Sequence, residues 1–345
     1  MIIICIALSK LKPLIYVHPG ASSFIRQDIE YLKKEFHLTP YFFNPSNKLL
    51  LPFEFLKLFC FLLTAKKQDV LVSFGGYHSF IAALISRLKG NRIFVILNGV
   101  DSAAVPEINY GFLRKGVLRF CCKKSYQWAD RILPVSESLM HTTNTYAFDD
   151  KKLGLNETFS KNEFKYEVIP NGFDSDFWSP ESEIERGKSV ITVASKNRIE
   201  LKGVDLFLRL ARDHPSYTFY IAGIDSLENT SSNVKCLGYL KPGKLRTYYS
   251  KSQFYFQLSV WEGFGCALCE AMLCGCVPIV SDVNVLKEIV GDNELVLMKK
   301  NMDSLISLTN SLINTQKNGL IYRERIRKKY PISQRVELIE SIING

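Results

Sequence analysis

The feature that most constrains the fold of this chain is a regular alternation of short apolar runs with helical patterns. Apolar runs such as 69–74 (DVLVSF) and 92–97 (RIFVIL) have the length and β-branched content of buried strands. Segments between such runs, for example 26–36, carry apolar residues at helical spacing. Because parallel strands need crossover connections, usually helices, this alternation predicts a parallel, doubly wound α/β sheet.

The alternation begins a second time after residues 168–172 (VIPNG), whose proline, asparagine and glycine are typical of a linker. A chain of 345 residues, at roughly 100–200 residues per domain, has room for two domains. We therefore predict two sheets in tandem, in domains 1–168 and 169–330, with a cleft that faces the carboxyl ends of both sets of strands. The last segment, 331–345, is predicted to be a helix that can pack anywhere, including back on the first domain.

The net charge of +10 lies mostly in the first half of the chain. Residues 1–170 hold 22 Lys and Arg against 14 Asp and Glu, whereas residues 171–345 hold 22 against 20. A basic half indicates an anionic partner, which can be nucleic acid, acidic lipid or a phosphorylated ligand. Nucleic acid is the weakest of the three, because the sequence has no RNA-binding motif and no basic low-complexity run.

Cysteine usage and hydropathy predict a cytoplasmic protein. The nine cysteines are odd in number and follow no regular framework, which is typical of a reducing compartment. No apolar stretch reaches the ~18 residues that a membrane span needs. The apolar start, 1–8 (MIIICIAL), is a poor signal peptide, because no charged region precedes it and no small-residue cleavage site follows. It is interpreted as an edge strand or an upstream extension.

Residues 49–65 (LLLPFEFLKLFCFLLTA) form an apolar helical segment with two charges and basic residues after it. Such a segment is either a buried connecting helix or a helix that lies on a membrane surface. A helix on a membrane surface should have a strongly polar face, which this pattern lacks. The sequence therefore favours a buried connecting helix.

The chemically most informative stretch is 259–282 (SVWEGFGCALCEAMLCGCVPIVSD). Glu262 ends a strand, and Gly263 and Gly265 allow the backbone after it to approach a ligand closely. The helix that follows offers free N–H groups to an anion, and Glu270 lies in its second turn. The pattern predicts a ligand with phosphates on the amides and hydroxyls on the two carboxylates.

This stretch resembles the glutamate-x7-glutamate motif of retaining, nucleotide-sugar-dependent glycosyltransferases of family 4 (group 1). The resemblance implies the GT-B fold, in which two Rossmann-like domains have the active site between them. It also implies that Glu262 contacts hydroxyls of the donor sugar and that Glu270 binds the nucleotide ribose. The backbone that contacts the donor would be that of Gly263, Phe264, Gly265 and Cys266.

A second element, KGVD at 202–205, resembles the lysine-glycine element of the same family. The resemblance implies that Lys202 neutralises the donor diphosphate, assisted by an upstream basic residue. That residue is either Arg198 or Lys196, because the loop does not align without a gap. Segments 169–174 (IPNGFD) and 129–136 (ADRILPVS) resemble the family's interdomain linker and last N-terminal strand, so the matches extend over about residues 70–295.

The chain departs from the family pattern after the fourth N-terminal strand, where many members carry a histidine. Here the sequence is NGVD at 98–101, and Asp101 is the nearest polar candidate for that catalytic role. Gly20 lies in a loop after the first strand that suits donor phosphates or acceptor. The acceptor-side candidates, each of which can equally be a helix cap or loop residue, are Tyr77, His78 and Tyr110.

A cluster of cysteines after Glu262 has spacing that can be compared with a metal site. Zinc sites usually pair two ligand turns across a longer loop, whereas here the first pair lies inside a predicted helix. Small buried thiols are the better interpretation of Cys266, Cys269, Cys274 and Cys276. The family resemblance likewise implies no metal and no other cofactor.

The sequence as a whole predicts a retaining glycosyltransferase that moves a sugar from a nucleoside-diphosphate sugar to an acceptor hydroxyl. The resemblance and the basic first half together indicate a glycan or lipid-linked acceptor, an anionic membrane surface as partner, and a role in cell-surface polysaccharide or glycolipid assembly. We expect a peripheral position on the inner membrane face. The alternatives are an epimerase of the same fold and a catalytically silent partner protein that only binds a nucleotide sugar.

Overall fold

A computed structural model describes residues 11–20, 22–47, 49–159, 164–313 and 317–345. The predicted edge strand or extension at 1–8 lies outside these residues. The chain divides into two compact units. Unit 1 consists of Met1–Thr142, Leu153–Gly172 and Ile332–Gly345, and unit 2 of Thr143–Lys152 and Phe173–Pro331. The segment Thr143–Lys152 lies inside the predicted first domain in sequence, yet it belongs to unit 2.

Unit 1 is built on a parallel five-stranded sheet of the predicted α/β type. Its strands run in the order β2-β1-β3-β4-β5. Their bounds are β1 Lys12–His18, β2 Phe36–Phe42, β3 Asp69–Ser73, β4 Ile93–Leu97 and β5 Arg131–Pro134. The two central strands β3 and β4 are buried along their whole length, which explains why they are continuous apolar runs in the sequence.

Four helices connect the strands of this sheet, and a short fifth helix follows β5 in the chain. They are α1 Ser23–Glu35, α2 Leu51–Thr64, α3 Tyr77–Lys89, α4 Gly116–Trp128 and α5 Leu155–Thr158. Short 3-10 helices lie at Pro106–Ile108, Phe112–Arg114 and Glu137–Leu139. A two-stranded sheet, which pairs β6 Thr142–Asn144 with β7 Lys151–Leu153, lies mostly in the segment 143–152 that belongs to unit 2. Helix α3 ends at Gly90, whose φ of 64° is the left-handed conformation that glycine adopts at helix ends.

The prediction that the helix at 49–65 is buried is wrong. The helix forms, but within Leu51–Thr64 only Leu58 and Leu62 are buried. Large apolar side chains on its other face are exposed to solvent. The apolar composition therefore reflects two apolar faces, one directed inward, where the helix packs against α3, and one outward. In the described part of the chain, every helix is too short or too polar to span a lipid bilayer.

Unit 2 is built on a second parallel sheet, of six strands. Their order is β10-β9-β8-β11-β12-β13. Their bounds are β8 Gly187–Val193, β9 Thr218–Ala222, β10 Val234–Cys236, β11 Ser252–Gln257, β12 Val277–Ser281 and β13 Val296–Leu297. Two parallel-sheet α/β units confirm the predicted fold class.

The helices of unit 2 alternate with these strands as predicted. They are α6 Val204–Asp213, α7 Pro242–Lys251, α8 Cys266–Leu273, α9 Leu286–Val290, α10 Met302–Ile313 and α11 Gly319–Lys329. Short 3-10 helices lie at Lys196–Arg198 and Asn293–Leu295. Because β8 and β11 are neighbours in the sheet, the loops that follow them meet at its carboxyl edge.

The last helix, α12 Ile332–Asn344, belongs to unit 1 and packs on α1. A fully buried ion pair joins them: Arg335 Nε donates to Asp28 Oδ1 at 2.7 Å and Arg335 Nη2 to Asp28 Oδ2 at 2.9 Å. The remaining guanidinium nitrogen donates to the carbonyl oxygens of Ile169 and Pro170, both at 3.0 Å. These bonds fasten α12 to residues 169–170, just before the chain enters unit 2 at Phe173.

We expect Arg335→Met to destabilise unit 1 by about 3–5 kcal/mol, because it leaves the Asp28 carboxylate buried without its cation. Adding Asp28→Asn removes that charge and should recover part of the loss. Arg131→Met, which breaks a half-exposed pair with Glu167 in the same unit, should lower the free energy of unfolding by no more than about 1 kcal/mol. Urea unfolding followed by circular dichroism measures all three variants, and equal losses for Arg335→Met and Arg131→Met would contradict the prediction.

Candidate active site

Two loops of unit 2 approach each other closely at the carboxyl edge of the sheet. The first follows β8 and ends at the start of α6, and the second connects β11 to α8. The Val260 amide donates to the Leu201 carbonyl at 2.8 Å, which joins the two loops. Next to this bond, Gly203 has a φ of 65°, and a Cβ there would lie 2.1 Å from the Leu258 carbonyl oxygen. Glycine is therefore required at 203 by both conformation and space.

This approach brings Lys202 and Glu262 together. Lys202 Nζ lies 2.5 Å from Glu262 Oε1, and both side chains are largely buried. The Ser259 hydroxyl donates to the same oxygen at 2.6 Å, and Gln257 Nε2 donates to it as well. Three donors on one oxygen hold the Glu262 carboxylate in a single orientation.

The network continues inward through Tyr255, whose hydroxyl donates to Gln257 Oε1 at 2.5 Å. Burial, and after it the nearby carboxylates of Glu262 and Glu270, raise the pKa of Tyr255 well above its usual range. The phenol therefore stays protonated and orients the Gln257 amide so that its NH2 group faces Glu262. Because both carboxylates raise the pKa of Tyr255, Glu262 and Glu270 both lie near this buried tyrosine.

Gln257 and Ser259 join the candidate site through these bonds to Glu262, although no sequence motif predicted them. A signal was present, because Gln257 and Ser259 are polar residues in the otherwise apolar run FYFQLSV at 254–260. Asn144 was missed too: its Nδ2 donates to the Val260 carbonyl at 2.7 Å, just before Glu262. No local pattern links residue 144 to residue 260, so that contact follows only from the fold.

The turn between Glu262 and α8 is anchored by its own buried residues. The Phe264 side chain packs against the rings of Phe173 and Tyr330, with ring centroids 6.1 and 5.1 Å apart. Gly265 has a φ of 103°, and a Cβ there would lie 2.8 Å from Leu286 Cδ2. The Phe264 side chain thus holds the turn in place, and the first amides of α8, from Cys266 onward, form a helix N-terminus suited to an anion.

The other predicted donor residues lie on the same edge of unit 2. Glu270 is buried in the second turn of α8. Lys196 and Arg198 lie on the exposed 3-10 helix of the first loop. The Lys202 amide donates to the Arg198 carbonyl at 3.0 Å, so the backbone of this basic loop leads directly into Lys202.

Asp101, the predicted substitute for the missing histidine, is fully buried in unit 1. Its carboxylate accepts hydrogen bonds from the amides of Gly75 (2.8 Å), Asn98 (3.1 Å) and Gly99 (2.9 Å). Burial raises the pKa of Asp101 to about 6, against the opposing effect of these amides. In this geometry the side chain holds together the loops after β3 and β4.

The remaining candidates lie on the same edge of unit 1. His78 is buried, donates from Nε2 to the Ser73 carbonyl at 3.0 Å and stacks on Phe43. Burial lowers the pKa of His78 to about 4, so this imidazole is neutral at pH 7. Tyr77, Tyr110 and Gly20 are partly exposed. The Gly20 carbonyl accepts a hydrogen bond from His18 Nδ1 at 2.7 Å.

Three of the cysteines near α8, Cys269, Cys274 and Cys276, are buried as predicted, whereas Cys266, the first residue of α8, is only partly buried. Burial raises the pKa of Cys276 to about 11, and its Sγ donates to the Tyr249 carbonyl at 3.1 Å. Within the described residues, no group of three or more His, Cys, Asp or Glu side chains is arranged to hold a metal ion.

The geometry of unit 2 agrees with a comparison against protein families. Residues 174–330 match the family described as "Glycosyl transferases group 1". The match contains Lys202, Glu262 and Glu270, and it ends one residue short of the end of unit 2. It supports a glycosyltransferase without reporting on its mechanism.

Curated relatives of the chain are distant or match only a short segment. The chain is 24% identical over 320 residues to the Campylobacter jejuni protein N-acetylgalactosamine-N,N'-diacetylbacillosaminyl-diphospho-undecaprenol 4-alpha-N-acetylgalactosaminyltransferase. That alignment covers 86% of this chain and 80% of the relative. The Escherichia coli protein O-antigen chain mannosyltransferase B is 35% identical over 72 residues, covering 21% of this chain and 19% of that protein.

Solved structures share the fold along almost the whole chain. Sucrose-phosphate synthase from Thermosynechococcus elongatus superimposes with a TM-score of 0.73 at 12% identity, over 96% of this chain and 98% of that one. The Anabaena protein Alr3699/HepE, in complex with UDP and glucose, has a TM-score of 0.71 at 15% identity, over 97% and 100%. The fold is therefore GT-B.

We expect Gly203→Ala to destabilise unit 2 by at least about 1–2 kcal/mol, because alanine strains the left-handed backbone and its Cβ meets the Leu258 carbonyl. Gly187→Ala at the start of β8 is the matched control, since a Cβ there has nothing within 4 Å and the φ is ordinary. Urea unfolding compares the two variants. A Gly203→Ala protein as stable as the Gly187→Ala protein would show that the close approach of the loops is not required.

The lowered pKa of His78 predicts a pH effect on stability. A neutral buried imidazole stabilises the fold fully above the unfolded pKa of about 6.5, and this contribution is lost as the pH falls toward about 4. The stability difference between the wild type and His78→Phe should therefore shrink by about 3 kcal/mol, as an upper figure, between pH 7.5 and pH 4. His37→Phe, at an exposed position of β2, serves as the control. A His78→Phe difference that does not change with pH contradicts the prediction.

Proposed function

We propose that this protein is a retaining glycosyltransferase that transfers a sugar from a nucleoside-diphosphate sugar to an acceptor hydroxyl. The observation that carries the proposal is the Lys202–Glu262 pair at the carboxyl edge of β8 and β11, next to the N-terminus of α8. A cation and helix amides suit a diphosphate, and a fixed carboxylate suits sugar hydroxyls. The group 1 glycosyl transferase match over the same residues supports this assignment.

In this proposal each donor group has a partner in unit 2. Lys202 and the amides of α8 stabilise the charge that develops on the leaving diphosphate, with Arg198 or Lys196 assisting. Glu262 orients the donor sugar through its hydroxyls, and Glu270 binds the ribose. Gln257 and Ser259 act through Glu262 as positioning residues, because both donate to its Oε1.

Retention follows if the acceptor hydroxyl attacks from the face that the diphosphate leaves. The acceptor O–H then forms the new glycosidic C–O bond as the sugar–phosphate C–O bond breaks, and its proton passes to a phosphate oxygen of the leaving nucleoside diphosphate. This route needs positioning and charge stabilisation rather than a protein nucleophile. An α-configured donor then gives an α-linked product.

We propose that the acceptor is lipid-linked and that the protein acts in glycolipid or cell-surface polysaccharide assembly, at the inner face of a membrane. The C. jejuni relative is named for an acceptor on diphospho-undecaprenol, and the E. coli relative for the O-antigen chain. The basic first half of the chain suits an anionic lipid acceptor. The acceptor-side candidates on unit 1 are Tyr77, His78 and Tyr110, and Gly20 is a candidate for the donor side.

The donor assignment is tested by titrating UDP, GDP and ADP into the protein by calorimetry. UDP is the first probe, because structural neighbours were solved with it. We expect Lys202→Met to weaken binding of the preferred nucleotide by about 10–100-fold, since a charge-assisted contact is worth about 1.5–3 kcal/mol. The matched control, Lys188→Met at an exposed position of β8, should bind like the wild type.

Glu262→Gln should keep nucleotide affinity and lose donor hydrolysis and sugar transfer by about 100-fold or more. Proton NMR of the sugar released by slow hydrolysis of an α-configured donor identifies the anomer that forms first. That anomer is α if the reaction retains configuration. Nucleotide binding without any donor hydrolysis in the wild type would favour a silent nucleotide-sugar-binding protein instead. If none of UDP, GDP and ADP binds at millimolar concentration, the donor assignment is overturned.

A further inference from the structure

The outward face of α2 exposes a strip of large apolar side chains. They recur every three or four residues and therefore share one face of the helix, while Leu58 and Leu62 pack inward on the other. Phe53 is 55% exposed and Leu56 is 56% exposed. The apolar strip consists of Phe53, Leu56, Phe59 and Leu63. Large side chains so exposed in a row mark an interaction surface.

The apolar strip continues beyond the helix that carries it. Leu49 and Leu50, just before α2, are exposed, and so are Val117 and Phe120 on α4. Helix α3 packs against both α2 and α4, so the three helices lie side by side in unit 1. The exposed apolar residues of α2 and α4 therefore belong to one helical layer, which we call the α2–α4 face.

Basic side chains border this face. Lys57 Nζ lies 4.6 Å from the centroid of the Phe53 ring, so its charge lies beside the apolar strip. Lys66 and Lys67 are exposed directly after α2. Glu54 pairs with Lys57 at 3.2 Å. Residues 111–128, which include α4, hold five Lys and Arg and no Asp or Glu.

We propose that the α2–α4 face docks on an anionic lipid bilayer, with the apolar strip buried at the boundary of headgroups and acyl chains. An apolar strip bordered by lysines is the pattern of an interfacial helix on acidic lipids. A second copy of the chain fits less well, because a two-fold interface would bring the same lysines of both copies together. The proposal deepens the proposed function, on which its biological meaning rests, by naming the residues that meet the membrane.

The inward side of α2 links this face to the acceptor-side candidates. Phe55 stacks on Phe43 with ring centroids 5.6 Å apart and meets the edge of Tyr77 at 5.7 Å. Phe43 in turn stacks on His78 at 5.4 Å. A bilayer under the first turns of α2 therefore lies next to the residues proposed to meet a lipid-linked acceptor.

The test is co-flotation of the full chain with phosphatidylcholine vesicles that contain or lack phosphatidylglycerol. We expect the wild type to float with the anionic vesicles and to be released by salt. The double variant Phe53→Ser/Leu56→Ser should lower the partition coefficient by about tenfold or more, and Lys66→Glu/Lys67→Glu by a similar factor. The matched apolar control, Leu320→Ser/Ile321→Ser, changes two exposed side chains of unit 2 and should float like the wild type.

Several outcomes overturn the docking proposal. They are a wild type that stays with the soluble fraction, an apolar variant that floats as well as the wild type, and a concentration-dependent dimer that the same substitutions abolish. Nucleotide binding, measured on the two α2–α4 face variants, should be unchanged, because their substituted residues lie in unit 1. A face variant that loses vesicle binding but keeps nucleotide binding supports the docking proposal independently of the donor assignment. A wild-type protein that floats with anionic vesicles but binds no nucleotide would contradict the donor assignment and leave the docking proposal standing.

Discussion

The candidate active site depends on the contact between two loops that follow neighbouring strands. The Leu201–Val260 hydrogen bond joins these loops, and the Gly203 backbone presses against the Leu258 carbonyl. Only at this separation does a lysine from one loop reach a glutamate from the other at 2.5 Å. Gly203 is therefore needed so that the two loops can pack closely. Lys202 supplies the positive charge, which this packing places beside Glu262.

The ion pair at this contact is better explained by binding than by stability. Removing two charges from water costs about as much as their attraction returns, so a largely buried pair contributes little net stability. Gln257 and Ser259 add donors to the same Glu262 oxygen, and protonated Tyr255 fixes the Gln257 amide. Such a network orients a carboxylate before any ligand arrives, which is what transition-state stabilisation by fixed groups requires.

The fold class and the turn that follows Glu262 could be predicted from the sequence because their causes are local. Apolar runs mark the strands, and the glycines around Glu262 mark a turn into a helix. Contacts between distant segments could not be predicted: Arg335 meets Asp28 across 307 positions, and Asn144 meets Val260 across 116. The exposure of α2 was also hidden, because a helix that is apolar on two faces has the same composition as a buried one.

The two units present their polar groups differently. In unit 1, Asp101 and His78 direct their hydrogen bonds to the backbone of neighbouring loops, so their first role is to shape the sheet edge. In unit 2, Lys202 and Glu262 bind each other, and each is a charge that a ligand can also use. In the proposed function, recognition of acceptor and membrane by unit 1 falls to the half-buried tyrosines and to the exposed α2–α4 face. Under the two proposals, the concentration of positive charge in the first half of the chain has a physical reason: a lipid surface is recognised by many dispersed cations, whereas a diphosphate needs one well-placed lysine and a helix N-terminus.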